Sequence, residues 1–249
     1  MLSLKNKAII VADAHENSQR RGFYRLLEAL KNGELDCPQL ILMGDIFDLL
    51  IYEIKATHSF AKPYIKILED ISDKTEVLYL EGNHDFNLAN FFEKVKIFPI
   101  KNQALTLSCE KNLKITQKTL KQELKSFEFK GVKGVKIAHG DIFLKPLLSF
   151  ALRSLRCHFL LLFLNFLDSI SKNFISTKIK NKQLNKNLFY KIKDFCNIAK
   201  SRYDKYKCEN FLVLEGHYHQ NFVLNEDGKY YMNLDSFAYK ESFFVVELL

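Results

Sequence analysis

Tryptophan is absent from the 249 residues of this chain, and methionine, proline and glycine number only three, four and nine. We find no proline- or glycine-rich linker, no repeat and no low-complexity tract, so we expect a single domain over residues 1–249. The five cysteines are an odd number and include no C-x-x-C pair. We interpret them as small buried side chains in a reducing compartment, not as a disulfide framework.

Long hydrophobic runs are also lacking. The uncharged stretch over residues 157–167 covers eleven residues, whereas ~20 are needed to span a bilayer. The first apolar run, Ala8–Ala12, is ended by Asp13 and is too short for a signal peptide, so it predicts a buried strand. Hydrophobic residues at 47% and charged residues at 27% are typical of a soluble globular protein. We therefore expect a cytoplasmic location.

Positive charge is concentrated in one quarter of the chain. Residues 145–207 contain 14 Lys or Arg and three Asp, a net charge of +11, while the remaining residues sum to −3. This distribution indicates a local anionic partner and argues against a generally basic protein.

Apolar runs without polar alternation predict strands that are buried on both faces. Two helices are expected between the first of these runs, over 18–31 with Ser18 as N-cap and over 59–71. A hairpin with its turn at 226–229 and a last strand at 243–248 follow, so the pattern predicts an α/β sandwich of one or two mixed sheets. The runs are Ala8–Ala12, Leu40–Met43, Val77–Leu80, Val135–Ala138 and Phe211–Leu214.

Residues 146–207, called the insert below, depart from this alternation. The insert begins with apolar residues and the uncharged stretch, and then becomes strongly basic. We predict a helical lid, apolar on one side and cationic on another, placed between two strands of the core. Arg153, Arg156 and Arg202 are candidates for contact with phosphate or a membrane, although solvated helix faces would carry the same residues.

Five short motifs place potential metal ligands directly after apolar runs. Together they contain five of the seven histidines and several carboxylates: Asp13-Ala14-His15, Gly44-Asp45-Ile46-Phe47-Asp48, Gly82-Asn83-His84-Asp85, His139-Gly140-Asp141 and Gly216-His217-Tyr218-His219. Each motif alone is common, and His58 and His158 lie outside all of them. The whole set predicts a binuclear metal site assembled from distant segments, and therefore a metal-dependent hydrolase.

The residue types suit hard and borderline divalent cations. Asp13 and His15, two residues apart, can bind one metal together, and Asp45 is the best candidate for a carboxylate that bridges two metals. Further ligands are the amide oxygen of Asn83 and the imidazoles of His139, His217 and His219. Asp48 or Asp141 could fix a histidine tautomer or serve only as turn residues.

In this order the motifs resemble those of the calcineurin-like metallophosphoesterase superfamily over nearly the whole chain. The resemblance implies a sandwich of two mixed sheets flanked by helices. It also implies that Asp45 is shared by two metals, the first completed by Asp13, His15 and His219 and the second by Asn83, His139 and His217. His84, with Asp85 beside it, would be the catalytic pair that stabilises the phosphoryl oxygens or protonates the leaving group. The cofactors would be two divalent ions, Mn²⁺ by preference, with Fe or Zn as alternatives.

One branch of that superfamily carries a helical, apolar and basic lid directly after the His-Gly-Asp motif. The insert and Gly82-Asn83-His84-Asp85-Phe86 are similar to this branch, the UDP-2,3-diacylglucosamine diphosphatases of lipid A synthesis, whose best-known members have Arg in place of His84. The resemblance implies cleavage of an acylated sugar nucleotide to UMP and 2,3-diacylglucosamine 1-phosphate at an anionic inner-membrane surface.

Two other functions remain open at this stage. One is a phosphodiesterase or nucleotide pyrophosphatase acting on a soluble or nucleic-acid substrate. The leucine- and phenylalanine-rich insert argues against nucleic acid, because such surfaces interleave aromatic residues with charge. The other is a non-catalytic adaptor at a membrane surface. The sequence does not predict an oligomeric state.

Overall fold

The computed structural model describes residues 2–109, 112–226 and 228–249, and Asp227 of the predicted hairpin turn lies outside them. Seven strands form one mixed sheet. In this sheet β1 (Ile9–Val11), β2 (Gln39–Leu42) and β4 (Glu76–Leu80) are parallel, with Ile9 opposite Leu40 and Gln39 opposite Glu76, whereas β14 (Phe243–Leu248) is antiparallel to β1. The spatial order is β6 (Lys96–Phe98), β4 (Glu76–Leu80), β2 (Gln39–Leu42), β1 (Ile9–Val11), β14 (Phe243–Leu248), β8 (Leu113–Lys118) and β9 (Glu123–Phe129).

A second mixed sheet has five strands, in the order β12 (Phe222–Glu226), β13 (Lys229–Asn233), β11 (Phe211–Glu215), β10 (Gly134–Ala138) and β7 (Leu105–Ser108). Strands β10 and β11 are parallel neighbours, with Val135 opposite Leu212. Two further short strands, β3 (Leu50–Ile51) and β5 (Asp85–Phe86), pair in parallel beside the first sheet.

The two sheets pack face to face, as the α/β sandwich prediction requires. Alternate residues of β1 divide between two cores: Ile10 packs between the sheets with Val135 and Leu212, whereas Ile9 and Val11 pack under helices. Burial on both faces explains why these strands lack polar alternation.

Helices α1 (Gly22–Lys31) and α2 (His58–Ile71) cover the outer face of the first sheet, and α7 (Phe237–Lys240) is a single turn. The predicted start of α1 at Ser18 was wrong. The chain turns at Asn17, whose Oδ1 accepts the N–H groups of Gln19 and Arg20. The first free N–H groups of the helix, those of Phe23 and Tyr24, are instead accepted by the carboxylate of Glu16.

Within the insert, four helices connect β10 to β11: α3 (Pro146–Ser154), α4 (His158–Ile170), α5 (Phe174–Leu184) and α6 (Phe195–Lys205). Among the described residues, no single helix has the length and apolar character to cross a membrane. The pair α3 and α4 reaches that length only together and is bent by 62° at the break.

Two expectations need correction. The cysteines were expected to be buried, and Cys37 and Cys109 are, but Cys196 and Cys208 are only partly buried and Cys157 is exposed. Strands β7, β8 and β9 were not predicted. For β9 the reason is that the strand is largely exposed and carries charged and polar residues at most positions, so no apolar run marks it.

Candidate metal centre

The five motifs meet at one edge of the sandwich. Parallel strands end at the same edge of a sheet, so the loops after β1, β2 and β4 converge, and those after β10 and β11 converge opposite them. The resulting groups are Asp13 with His15 and His219, and Asp45 with His139 and His217, and a third, overlapping group joins Asp45 to His15 and His84. In each group the potential ligand atoms lie within 4.8 Å of one another. The members of the first group all belong to the first metal of the assignment that the resemblance implied and those of the second to the second metal, whereas the third group adds His84, which that assignment left out.

Several of these residues occupy the left-handed backbone region, which is strained for residues other than glycine. The φ angles are 52° at Asp13, 45° at His15, 51° at Asp45, 64° at His217 and 55° at His219. Such conformations persist only where the surrounding structure fixes them, and they cluster at functional sites.

Two motif glycines permit the loops to approach each other. A Cβ at Gly82 would lie 2.2 Å from Asp45 Oδ1, and a Cβ at Gly216 would lie 2.5 Å from Asp13 Oδ2. The backbone N–H of His217 donates to both oxygens of Asp13. Because neither glycine has a side chain, the carboxylates of Asp45 and Asp13 can lie directly against the backbone of the neighbouring loops.

His139 shows directly that the site suits a cation. Its Nδ1–H donates to the carbonyl of Met43 at 2.8 Å, so Nε2 is the ring nitrogen left to hold either a proton or a metal ion. That atom faces Asp45 Oδ2 at 3.5 Å, Asn83 Oδ1 at 3.4 Å and His217 Nδ1 at 3.3 Å. Burial lowers the pKa of His139, but the Asp45 carboxylate outweighs it and raises that pKa well above its usual value. Acceptors that face one another in this way require a positive charge between them.

His219 presents a similar arrangement beside Asp13, and the ring of His15 lies next to it, with ring centroids 5.4 Å apart. Nδ1–H of His219 donates to the carbonyl of Leu188, in the insert, at 2.9 Å, which leaves Nε2 facing Asp13 Oδ1 at 3.2 Å. Nε2 of His15 is buried without a hydrogen-bond partner in the described part of the chain. Carbonyl partners that fix the outward nitrogen are typical of metal-binding histidines.

Electrostatics keep the remaining ligands in their binding forms. Burial, assisted by His139, lowers the pKa of His217 to about 3, so its ring is neutral and able to bind a metal. Burial opposes ionisation of Asp45, but His139 and His84 hold its pKa well below the usual value. Asp45 is therefore a carboxylate in the middle of the histidines.

A family model described as calcineurin-like phosphoesterase matches residues 7–235, which include both groups. The chain belongs to this family. No curated protein matches the chain. Among solved structures, the phosphoesterase YfcE from E. coli is 14% identical, with a TM-score of 0.42 over 92% of this chain and 79% of that one. Vacuolar protein sorting 29 from Cryptosporidium parvum is 11% identical, with a TM-score of 0.39 over 93% and 74% of the two chains.

As a calcineurin-like phosphoesterase, the protein is a hydrolase of phosphoester bonds with a dinuclear metal site, and the two ligand groups suit that site. His84, predicted to act on the phosphoryl group, lies at its edge. The Nδ1–H of His84 donates to the carbonyl of Asp48 at 2.9 Å, and its Nε2 lies 3.9 Å from Asp45 Oδ2. His84 thus lies beside Asp45, and with His15 and Asp45 it also forms a group of potential metal ligands.

Asp85 was predicted to be catalytic, but its contacts give it a different role. Its two oxygens accept hydrogen bonds from the N–H groups of residues 45, 46, 47 and 82 and from the hydroxyl of Tyr79. With both oxygens occupied, Asp85 holds the turn that carries Asp45. It is a positioning residue in this calcineurin-like phosphoesterase.

One motif residue, Asp48, and two residues outside the motifs, Arg20 and Gln103, also support the ligands, and the sequence analysis did not predict the last two. Asp48 Oδ1 lies 3.2 Å from His15 Nδ1, and Arg20 donates both to Asp48 and to the carbonyl of His15. Gln103 Oε1 accepts the N–H of His139. No local signal marks Arg20 or Gln103, because their partners lie far away in the sequence.

Of the three arginines proposed for phosphate or membrane contact, two are engaged within the protein. Arg156 donates to the carbonyl of Gly82 at 2.8 Å and lies 3.3 Å from Asp141 Oδ2. Arg202 is buried and forms a two-pronged ion pair with Glu215, at 2.5 and 2.6 Å. Only Arg153 is exposed. Burial and the ion pair with Glu215 contradict the predicted phosphate or membrane contact of Arg202. For Arg153 and Arg156 that contact stays a prediction, and Nη1 of Arg156 is buried without a hydrogen-bond partner among the described residues.

Proposed function

We propose that this calcineurin-like phosphoesterase hydrolyses the pyrophosphate of UDP-2,3-diacylglucosamine to UMP and 2,3-diacylglucosamine 1-phosphate, with the insert as a lid over the site. One observation carries the proposal. An apolar cavity of about 520 Å³ lies between the core and the insert, and Asn83 and His84 of the metal centre form part of its wall. The rest of the wall is mainly aliphatic: Leu49, Ile51, Ile54, Leu155, Leu161, Leu164, Ile175 and Ile179.

A cavity of this kind suits the acyl chains of a lipid substrate. Each buried methylene contributes about 0.8 kcal/mol of binding free energy. A soluble nucleotide or a nucleic acid has no group that would use an aliphatic wall directly beside the phosphate. The cavity therefore favours a substrate in which hydrocarbon and phosphate are close neighbours.

Polar contacts from the insert to the core fix the cavity wall. His158 Nδ1 lies 2.8 Å from Glu53, and Asn165 Oδ1 accepts the N–H of Lys55 at 3.0 Å. Arg156 and the carbonyl of Leu188 add the contacts to the metal-site loops described above. These hydrogen bonds hold the insert against the metal-site loops, so contacts within the protein fix the wall of the cavity.

The reaction chemistry divides between the metals and the protein. When bound, two divalent cations activate a water molecule and neutralise charge on the phosphoryl oxygens. Asp85 and the motif glycines hold Asp45 and Asp13 in place. His84, oriented by the carbonyl of Asp48, holds at Nε2 the proton that the leaving oxygen takes up. The oxygen and nitrogen ligand set favours Mn²⁺, with Fe or Zn as alternatives.

The outer face of the insert supports a peripheral location on the inner membrane. On α4, Phe159 and Phe163 are 80% and 56% exposed, and Phe166 and Ile170 continue the same stripe. The insert also carries 13 Lys or Arg against three Asp, a net charge of +10. Exposed aromatic residues with surrounding Lys and Arg are the composition that binds anionic lipid surfaces.

Release of UMP tests the proposed reaction. Purified protein with Mn²⁺ is expected to release UMP from UDP-2,3-diacylglucosamine and to leave UDP-N-acetylglucosamine intact. Equal rates on the two compounds would contradict the proposed role of the cavity in binding acyl chains and would favour a soluble sugar nucleotide as substrate. Asp45→Ala serves as the matched inactive protein, and if a cellular function survived that change, the protein would be an adaptor.

A further inference from the structure

The last helix of the insert reaches both loops that bring histidine ligands from the second sheet. These are residues 139–141 after β10 and residues 216–219 after β11, called the first and second ligand loops below. Nε2 of His139 and Nδ1 of His217 lie 3.3 Å apart, one from each loop. Arg202, on α6, is 3% exposed and lies against both loops.

The guanidinium group of Arg202 is hydrogen-bonded to both ligand loops. Nη2 donates to the carbonyl of Gly140, in the first loop, at 2.8 Å. Nη1 donates to the hydroxyl of Tyr218, in the second loop, at 2.9 Å. Nε and Nη2 also donate to the carboxylate of Glu215, directly before the second loop. One side chain therefore connects the two loops, although none of these hydrogen bonds ends on a ligand atom.

The two loops are in contact close to the point where Arg202 connects them. A Cβ at Gly140 would lie 3.0 Å from the Cβ of His217. The second loop is also tied to its sheet, because the side chain of Asn233 donates to the carbonyl of Gly216 at 2.6 Å. A movement of Gly140 away from Arg202 would therefore move the adjacent His139 relative to the second loop.

Other groups satisfy Glu215 but cannot replace this connection. The hydroxyls of Tyr206 and Tyr231 both donate to Glu215. A hydroxyl has one proton to donate, so neither can also donate to Gly140. The planar guanidinium offers five N–H donors in fixed directions, which allows one side chain to hold three partners at once.

We propose that Arg202 is a positioning residue of the metal centre: by holding the two ligand loops together, it fixes the spacing of His139 and His217 and strengthens metal binding. The insert is then a part of the metal centre as well as a cover over it. This inference goes beyond the proposed reaction, because it concerns the metal ligands and applies to any phosphoester substrate. Residues that orient metal ligands typically contribute 10- to 100-fold, on the order of magnitude, to metal affinity.

The double variant Arg202→Met with Glu215→Gln tests the connection without leaving a charge buried. The first change removes the donors. The second removes the carboxylate that would otherwise lack a cation, and it keeps an amide oxygen as acceptor for the two tyrosine hydroxyls. Isothermal titration of chelator-treated, full-length protein with Mn²⁺ measures the affinity. We expect the Kd of at least one of the two ions to rise about 10- to 100-fold.

Leu224→Ala is the matched control. Leu224, on β12, is buried in the same apolar cluster as Ala199 of α6. Its truncation destabilises the packing under α6 but removes no hydrogen bond between α6 and the ligand loops. Thermal melting confirms the loss of stability, and this variant should bind Mn²⁺ as the wild type does.

Three results would overturn the inference: wild-type Mn²⁺ affinity in the double variant, an equal loss of affinity in Leu224→Ala, or no Mn²⁺ binding by the wild type. If the double variant does not fold, Arg202→Lys takes its place, because lysine keeps a charge beside Glu215 but lacks the planar fork. The same rise in Kd is expected there, and an unchanged Kd would overturn the inference. No substrate enters the titration, so a failure of UMP release would leave the role of Arg202 standing.

Discussion

At the scale of single residues, the metal centre depends on positions where a side chain is missing. Gly82 lies against the backbone N and Oδ1 of Asp45, and a Cβ there would be 2.4 Å and 2.2 Å from these atoms. We expect Gly82→Ala to displace Asp45 and lower Mn²⁺-dependent hydrolysis of a generic phosphodiester by about 100-fold, because a shift of about 1 Å has that effect on a catalytic site. Steady-state kinetics at saturating Mn²⁺ measure the change.

Gly33→Ala is the control for Gly82→Ala, because at Gly33 a new side chain strains the backbone but does not crowd any neighbour. Gly33 has a φ of 76°, yet a Cβ there meets nothing within 4 Å. The substitution should cost roughly 1 kcal/mol of folding free energy and leave activity unchanged. Similar losses of activity in the two variants would show that the close contact at Gly82 is not what holds Asp45.

The residues of the site differ in how far sequence could predict them. Asp13, Asp45 and His139 each follow an apolar run, so the pattern of apolar residues is enough to place them at the end of a buried strand. Arg156 and Arg202 gave no such signal, because a long side chain can reach partners that only the fold brings near. Asp85 was misjudged since its partners are backbone N–H groups, which leave no trace in the sequence.

At the scale of elements, α6 is attached to the second sheet by a buried charge. Arg202 on α6 pairs with Glu215 at the end of β11, and the hydroxyl of Tyr231 also donates to Glu215 at 2.7 Å. Removing one partner leaves the other charge buried and uncompensated. We expect Arg202→Met to lower the free energy of unfolding by about 3–5 kcal/mol, measured by urea denaturation.

A surface ion pair provides the comparison for Arg202. Lys31 and Asp70 contact each other at 2.8 Å with both side chains exposed. Lys31→Ala should leave the midpoint of urea denaturation nearly unchanged, because water and salt screen an exposed ion pair. A loss in Arg202→Met no greater than this would mean that the pair contributes little to holding the insert on the core.

The two faces of α4 make a second prediction about an element. Leu161 and Asp168 face the cavity, whereas Phe159 and Phe163 face outward. We expect the double variant Phe159→Ser with Phe163→Ser to bind anionic phospholipid vesicles at least about tenfold more weakly, with its melting temperature unchanged, because it loses exposed apolar area only. Co-sedimentation with the vesicles measures binding.

Leu120→Ser is the control for this experiment, since Leu120 is also exposed but lies outside the insert. It should leave vesicle binding intact. Equal loss in both variants would indicate nonspecific adsorption, and no loss in the double variant would contradict a membrane contact through α4. The composition of the insert predicted that one side of it would be apolar. Which residues of α4 face outward depended on how the helix packs on the core.

At the scale of the whole molecule, the metal centre is where distant parts of the chain are joined. Its candidate ligands run from Asp13 to His219 and come from the ends of both sheets, and the carbonyl of Leu188 connects the insert to His219. Bound cations would therefore link both sheets and the insert. A ligand that binds only the folded state stabilises it, by about 2.7 kcal/mol when its concentration is 100 times its Kd.

Addition of Mn²⁺ to chelator-treated protein should accordingly raise the melting temperature by several degrees, since about 1 kcal/mol corresponds to about 2–4 °C for a chain of this size. Asp45→Asn removes the carboxylate that the family resemblance assigns to both metals and should abolish most of that shift. His58→Gln changes a histidine that contacts the carbonyl of Tyr52 outside the metal centre, and it should leave the shift intact. A wild-type melting temperature indifferent to Mn²⁺, Fe²⁺ and Zn²⁺ would contradict a metal site that joins the two sheets, whatever the substrate proves to be.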